Sequence, residues 1–132
     1  MTTLPQIDVV AALIYHHGKL LLAQRGENGD QAGLWEFPGG KVEAGETQQQ
    51  ALQRELQEEL AIIARIERYI ASESREVSGR MIHLHGWLVT DFSGDLKPNC
   101  HQALAWCIPT EALNYDLAPA DIPLLQAWLP TI

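Results

Sequence analysis

The chain has few cysteines, a shortage of positive charge and no long uninterrupted apolar run, and each shortage closes off a class of protein. Cys100 and Cys107 are its only cysteines, and neither belongs to a CxxC pair. A disulfide framework and a cysteine-based zinc site are therefore not expected, and a reducing cytoplasm suits the chain. Nine Lys and Arg stand against 17 Asp and Glu, a formal net charge of −8. That balance opposes an extended nucleic acid as partner, because affinity for a polyanion comes largely from cations that displace its counterions. A small phosphate ester arriving with its own metal is not opposed. No stretch approaches the roughly 18 apolar residues of a membrane span. The opening MTTLPQIDVV has no basic region followed by a long apolar one, so neither a membrane segment nor a secretory signal is expected. A DxDxDG calcium loop is also missing.

What remains suits one domain over residues 1–132, with an ordinary 46% of hydrophobic residues to build a core. Ile7 to Tyr15 is almost wholly apolar, and His16-His17-Gly18-Lys19 separates it from a second run, Leu20 to Ala23, which reads as a hairpin with a buried first strand. Arg25 follows at a strand end. The polar loop GENGDQAG then leads through Leu34-Trp35-Glu36-Phe37, a short strand, into the bend Pro38-Gly39-Gly40. Farther on, Ile62 to Ser72 is strand-like, with an alternation that slips near Tyr69 and predicts a bulge. Ser74 to Arg80 reads as a polar turn. Met81 to Val89 alternates as a strand, with His83 and His85 on one face but no third ligand to make them a metal site. Leu104 to Ile108 is a short buried strand, Thr110 a cap for a brief helical turn, and Ile122, Leu125, Trp128 and Leu129 mark a C-terminal helix. Strands around a central helix with another at the end predict an α/β protein, an α/β/α sandwich about a mixed β-sheet.

The central helix carries the chemistry. Thr47 with Gln50 fits a capping box, so the helix runs from about Gln48 to Leu60. Leu52, Leu56 and Leu60 form its apolar stripe, while Glu55, Glu58 and Glu59 fall within an arc of roughly 100° on one face. A solvated acidic face is the plain explanation of such a cluster. The glycine bend, the cap and the apolar stripe together favour a site. Carboxylates about 4 Å apart repel by roughly 4 kcal/mol per pair at an effective dielectric of 20, which a cation between them relieves. All-oxygen ligation points to magnesium, with manganese as the alternative, and a magnesium that keeps several waters commonly also holds substrate phosphates.

Gly40, Glu46 and Arg54-Glu55-Leu56-Gln57-Glu58-Glu59 resemble the Nudix box, GX5EX7REUXEEXGU, here spanning about residues 40–62. One position departs, since Ala61 stands where the box has the glycine that ends the helix. The resemblance implies the same α/β/α sandwich. It also implies magnesium held by Glu55, Glu58, Glu59 and the Gly39 carbonyl, Arg54 orienting the glutamates, and Glu55 as the leading base. Nucleotide contacts are implied at Arg25, Phe37, Gly39, Gly40, Lys41, Arg75 and Asp121. The reaction implied is a nucleoside triphosphate plus water giving the monophosphate and pyrophosphate. DQAGLWEF, REVSGR, IHLH and LAPADIPLL are further similar to the bacterial MutT-like group that acts on cytidine and on modified pyrimidine deoxynucleotides. On that reading Asp121 accepts from an exocyclic amino group such as cytosine N4, and its other role would be a helix N-cap. Such enzymes often carry an extra glutamate before the last strand. Cys100 stands at that place here, with His101 beside it as a weaker choice of base. The alternatives are 8-oxo-dGTP hydrolysis and a non-catalytic nucleotide-binding module, although such modules usually lose box carboxylates that this chain keeps. A monomer or weak homodimer is expected.

Overall fold

The spine of the molecule is an eleven-residue strand, β1 (Gln6–His16), apolar on both faces because both are covered. The computed structural model describes residues 3–29 and 31–132. Asp30, in the polar loop expected before the third strand, lies outside them. The remaining elements are β2 (Lys19–Gln24), β3 (Trp35–Glu36), β4 (Gly39–Lys41), α1 (Gln48–Leu60), β5 (Ile63–Val77), β6 (Arg80–Ser93), β7 (Ala103–Cys107) and α2 (Asp121–Trp128). A 3-10 turn over Pro109–Asn114 precedes α2.

β1 runs parallel to β6 from Gln6 opposite Met81 to Ile14 opposite Val89. Its other edge is divided. Tyr15 and His16 pair with the start of β2, whereas Val9 to Ala11 pair with β4. β2 diverges from β1 and pairs with β3 on one edge and β7 on the other. The chain therefore crosses from one branch of the fork to the other at Phe37 and Pro38. This mixed sheet has a core on each face. Val10, Ala12 and Ile14 pack against Leu52, Leu56 and Leu60 of α1. Ala11 and Leu13 face the opposite way, in the cluster that holds Leu124, Leu125 and Trp128 of α2. The expected α/β/α sandwich is the observed architecture. Among the described residues no helix is long and apolar enough to cross a membrane.

The capping box of α1 is complete, with Gln50 N–H donating to Thr47 Oγ1 at 3.1 Å and Thr47 N–H donating to the Gln50 side chain at 2.9 Å. The irregularity near Tyr69 is present as register shifts at 65/66, 66/68 and 69/71. Two local expectations need correction. The polar turn expected over Ser74 to Arg80 is only Ser78-Gly79, with φ of 51° and 75°, because two left-handed residues already close a tight hairpin and both strands extend to it. Thr110 is no cap: Ile108 holds that position without a side-chain bond, and Pro109 starts the turn with its fixed φ.

Helix α1 ends on Ala61 at φ 58° and ψ 33°, the left-handed conformation that the family's glycine adopts without strain. Holding a Cβ there costs about 1 kcal/mol. Ala61→Gly is expected to stabilise the protein by about that amount, seen as a rise in Tm of roughly 3–5 °C. An unchanged or lower Tm would show that the alanine conformation is unstrained.

Candidate active site

Two glycines set the geometry. A Cβ on Gly39 would lie 1.9 Å from the Val10 carbonyl oxygen, and one on Gly40 2.4 Å from the Glu55 carboxyl carbon. Backbone leaves no room for a side chain on Gly39, whereas a side chain on Gly40 would displace the Glu55 carboxylate. Ala12 N–H bonds Pro38 O, and Val42 N–H bonds Asp8 O, both across the β1–β4 ladder. By antiparallel alternation the N–H and C=O of Gly39 then turn away from β1. That N–H donates to Glu59 Oε2 at 3.1 Å, which ties the bend to the carboxylate face of α1.

Arg54 organises the other glutamates. Its Nε and Nη2 grip both oxygens of Glu46 at 2.8 and 2.9 Å, Nη1 donates to Glu55 Oε1 at 2.9 Å, and Nη2 also reaches the Lys41 carbonyl at 3.0 Å. Glu58 lies 3.5 Å from the same guanidinium but is 59% exposed. The grip on Glu46 holds that carboxyl down at about 2, with the Glu43 N–H contributing. Glu55 and Glu59 move the other way. Burial raises Glu55, only partly offset by Arg54. Burial raises Glu59 to about 8, reinforced by the charges of Glu55 and Glu36 and countered by the Gly39 N–H.

Among the described residues, no three His, Cys, Asp or Glu side chains are arranged as a ready cation cage. Glu55 is engaged by Arg54 and Glu59 by Gly39. The donor chemistry nevertheless fits a hard divalent cation: the ligand atoms are all oxygen, and two carboxyls carry raised proton affinities in a crowded acidic setting.

A cleft of about 570 Å³ runs from Glu59, Gly39 and Gly40 past Arg25 and Glu36 to Asp121. Phe37 is 3% exposed, part of the core and of the cleft wall at once. Its N–H donates to Asp121 Oδ2 at 3.3 Å. Asp121 is 5% exposed, and burial, then the charge of Glu36, pushes it up to about 8. It therefore holds its proton more tightly than an ordinary aspartate does. Nor is it a cap, since Ala120 precedes the helix and no side-chain cap bond forms. Arg75 is exposed, 3.9 Å from Glu73, and faces a side cleft of about 150 Å³ that shares Gln31 and Ala120 with the main one. Lys41 does not line these clefts, and what it contributes is the carbonyl that Arg54 holds. Cys100 is exposed, and its thiol is raised by partial burial and by the charges of Glu59, Glu55 and Glu58.

Two cleft residues escaped the sequence reading. Glu36 was absorbed into a short strand, though an acid inside LWEF was a usable signal. Arg80 was absorbed into a turn, and only the hairpin register brings it to the cleft.

In the family comparison a NUDIX domain model matches residues 4–128, which takes in the glycine bend and the capped helix. The chain is a Nudix hydrolase. It is 64% identical over 123 residues to the CTP pyrophosphohydrolase of Escherichia coli K12, covering 93% of this chain and 91% of that protein. It is 41% identical to the 8-oxo-dGTP diphosphatase of Haemophilus influenzae, again over 93% and 91% of the two chains. A solution structure of an Escherichia coli protein matches with a TM-score of 0.89 and 62% identity, covering 96% of this chain and 91% of that one. The crystal structure of a MutT Nudix hydrolase from Burkholderia pseudomallei matches with a TM-score of 0.82 and 28% identity, covering 92% and 97%.

Glu59 and Asp121 bind protons more tightly folded than unfolded, so the stability they contribute is complete below about pH 4 and lost as pH rises toward about 8. In EDTA, Tm is expected to fall by several degrees between pH 5.5 and 8.5, and Glu59→Gln to flatten that slope. Added magnesium should raise Tm more at pH 8.5 than at pH 5.5. A slope identical in parent and Glu59→Gln would remove Glu59 as a source of the effect.

Proposed function

We propose that this Nudix hydrolase cleaves nucleoside triphosphates to the monophosphate and pyrophosphate, with a preference for cytosine-type pyrimidine nucleotides. The observation that carries the reading is one continuous cleft with the carboxylate helix and glycine bend at one end and buried Asp121 at the other. Similarity to a CTP pyrophosphohydrolase over nearly the whole chain supports the choice of base. The setting is the cytoplasm, and the active form a monomer or weak homodimer.

Glu55, Glu58, Glu59 and the Gly39 carbonyl would hold magnesium, or manganese. When bound, the ion neutralises phosphate charge and makes water more acidic. Glu55 takes the proton of the attacking water, since burial raises its proton affinity and Arg54 fixes its orientation. Glu46, locked on Arg54 by two short bonds, keeps that guanidinium from swinging onto the phosphates. Arg25, at the end of β2, meets the phosphate chain. Phe37 walls the nucleoside, and its N–H fixes one Asp121 oxygen so that the other faces the base. Where cytosine offers its N4 amino group, uracil offers an oxygen. Ionised Asp121 accepts from the first and repels the second, whereas protonated Asp121 donates to the second.

Three measurements test this. Glu55→Gln should lower kcat by roughly 100- to 10,000-fold, and Glu58→Gln and Glu59→Gln should cut it strongly, all with an intact fold by circular dichroism. Product analysis should give monophosphate and pyrophosphate; diphosphate and orthophosphate as first products would refute the bond assignment. The ratio of kcat/KM for CTP over UTP should rise as pH passes about 8, toward a preference of about 5- to 150-fold. In Asp121→Asn, which donates and accepts at every pH, the ratio should be small and flat. A parent ratio that is also flat, or a higher kcat/KM for 8-oxo-dGTP than for any cytosine nucleotide, would overturn the cytosine reading.

A further inference from the structure

The last turn of α1 carries Glu58 and Glu59, two of the three box glutamates, and it ends on Ala61 in the left-handed conformation. Local conformation does little to close that end, because the alanine itself is strained there. The last four carbonyls, of residues 57–60, have no partner within the helix. Gln57 O accepts from the Ala61 N–H at 3.0 Å, and the other three are met from the loop between β6 and β7.

That loop approaches closely. Leu96 packs against the cluster that holds Leu52, Leu56 and Leu60, and a Cβ on Gly94, at φ 101°, would lie 2.9 Å from Ala61 O. Lys97 donates its backbone N–H to Leu60 O at 2.9 Å. Asn99 supplies two donors to the helix. Its backbone N–H is shared between Glu59 O at 3.0 Å and Lys97 O at 2.9 Å, and its side-chain amide donates to Glu58 O at 3.2 Å. Farther on, Gln102 donates its backbone N–H to Gln24 O at 3.0 Å and its side-chain amide to Arg25 O at 2.9 Å, so the loop is also fastened to the end of β2. The start of α1 is capped by its own Thr47 and Gln50, whereas its end is capped by residues from a distant part of the chain.

The two carbonyls that Asn99 holds belong to Glu58 and Glu59 themselves. The Glu59 carboxyl reaches Gly39 N–H at 3.1 Å, and the exposed Glu58 carboxylate lies 3.5 Å from Arg54. Fraying of this turn would carry both away from Glu55, which sits a turn earlier and is held by Arg54. An amide suits the task, since it donates to a carbonyl without adding charge to an acidic cluster.

We infer that Asn99 is a positioning residue for the divalent cation that the box glutamates would hold: by clamping the Glu58 and Glu59 carbonyls, it keeps both carboxylates in place beside Glu55. The role rests on the metal-dependent hydrolase reading above, and it acts through the helix backbone without touching substrate. When the binding-competent arrangement is populated only part of the time, apparent affinity falls by that fraction. Loss of the clamp therefore weakens cation binding, while turnover at saturating magnesium is nearly preserved.

The test compares the parent with Asn99→Leu, which keeps the bulk without the donor, and Asn99→Gln, which keeps an amide of longer reach. Asn99 is exposed, so neither replacement has to enter the core. Manganese binding to the nucleotide-free protein is followed by electron paramagnetic resonance of the free ion, together with Tm in EDTA and the magnesium dependence of CTP hydrolysis. Asn99→Leu should raise the manganese Kd and the half-saturating magnesium concentration by roughly 3- to 10-fold, with kcat at saturating magnesium little changed. Asn99→Gln should recover most of that loss. A purely structural tie would lower Tm in EDTA and leave the manganese Kd where it was, and that result overturns the proposal. So does an equal loss in leucine and glutamine, or a fall in kcat that saturating magnesium does not restore. Should the parent bind manganese but hydrolyse no triphosphate, the hydrolase reading fails alone, and the Kd series still decides the role of Asn99. A parent that binds no manganese overturns the proposal, and product analysis still judges the reaction.

Discussion

The structure depends on a close approach: at Gly39 the backbone passes β1 with no room for a side chain, and at Gly40 a side chain would push the Glu55 carboxylate out of place. The Val10 carbonyl blocks a Cβ on one glycine and the Glu55 carboxylate blocks it on the next. Because the chain must cross there from the β2 branch to the β1 branch, the bend fixes the positions of both its neighbours. On one side Gly39 N–H meets Glu59, and on the other Phe37 N–H meets Asp121. A four-residue segment thereby sets the distance between the carboxylate cluster of α1 and the buried carboxyl of Asp121.

Negative charge is concentrated around this bend and is handled in two ways. Near Lys41, Arg54 spreads one guanidinium over Glu46, Glu55 and the edge of Glu58. Deeper in, Glu59 bonds only the Gly39 N–H and Asp121 only the Phe37 N–H among the described residues, and burial drives both toward the protonated form. The contrast separates their roles. Glu46 stays an anion under all ordinary conditions and serves as a strut, whereas Glu59 and Asp121 change charge near neutrality and can respond to a cation or a base.

The loop over residues 97–102 adds a second constraint, because it completes the end of α1 and grips β2 on either side of Arg25. Substituting Cys100 within it leaves this frame intact, since the bonds are made by Lys97, Asn99 and Gln102. Burial and three nearby glutamates raise the Cys100 thiol.

Much was legible in the residue order. The helical spacing of Leu52, Leu56 and Leu60 against Glu55, Glu58 and Glu59 predicts the helix, its buried side and its carboxylate side. Thr47 and Gln50 gave its start, and the continuous apolar run in β1 announced a strand covered on both faces. These are local properties, set by backbone period and by where an apolar side chain can go. Pairing was not local. That β1 shares one edge between β2 and β4, that Ser78-Gly79 suffices for the hairpin, and that Arg80 therefore reaches the cleft depend on register between segments far apart in the chain. Proton affinity was not local either. From sequence Asp121 is an ordinary aspartate or a helix cap, and only its burial beside Glu36 and Phe37 turns it into a group that titrates near neutrality. The sequence determined which groups are present and which face of each element carries them. Tertiary structure decided which of them meet and how much water surrounds them, because desolvation and charge coupling depend on distances that the order of residues does not contain.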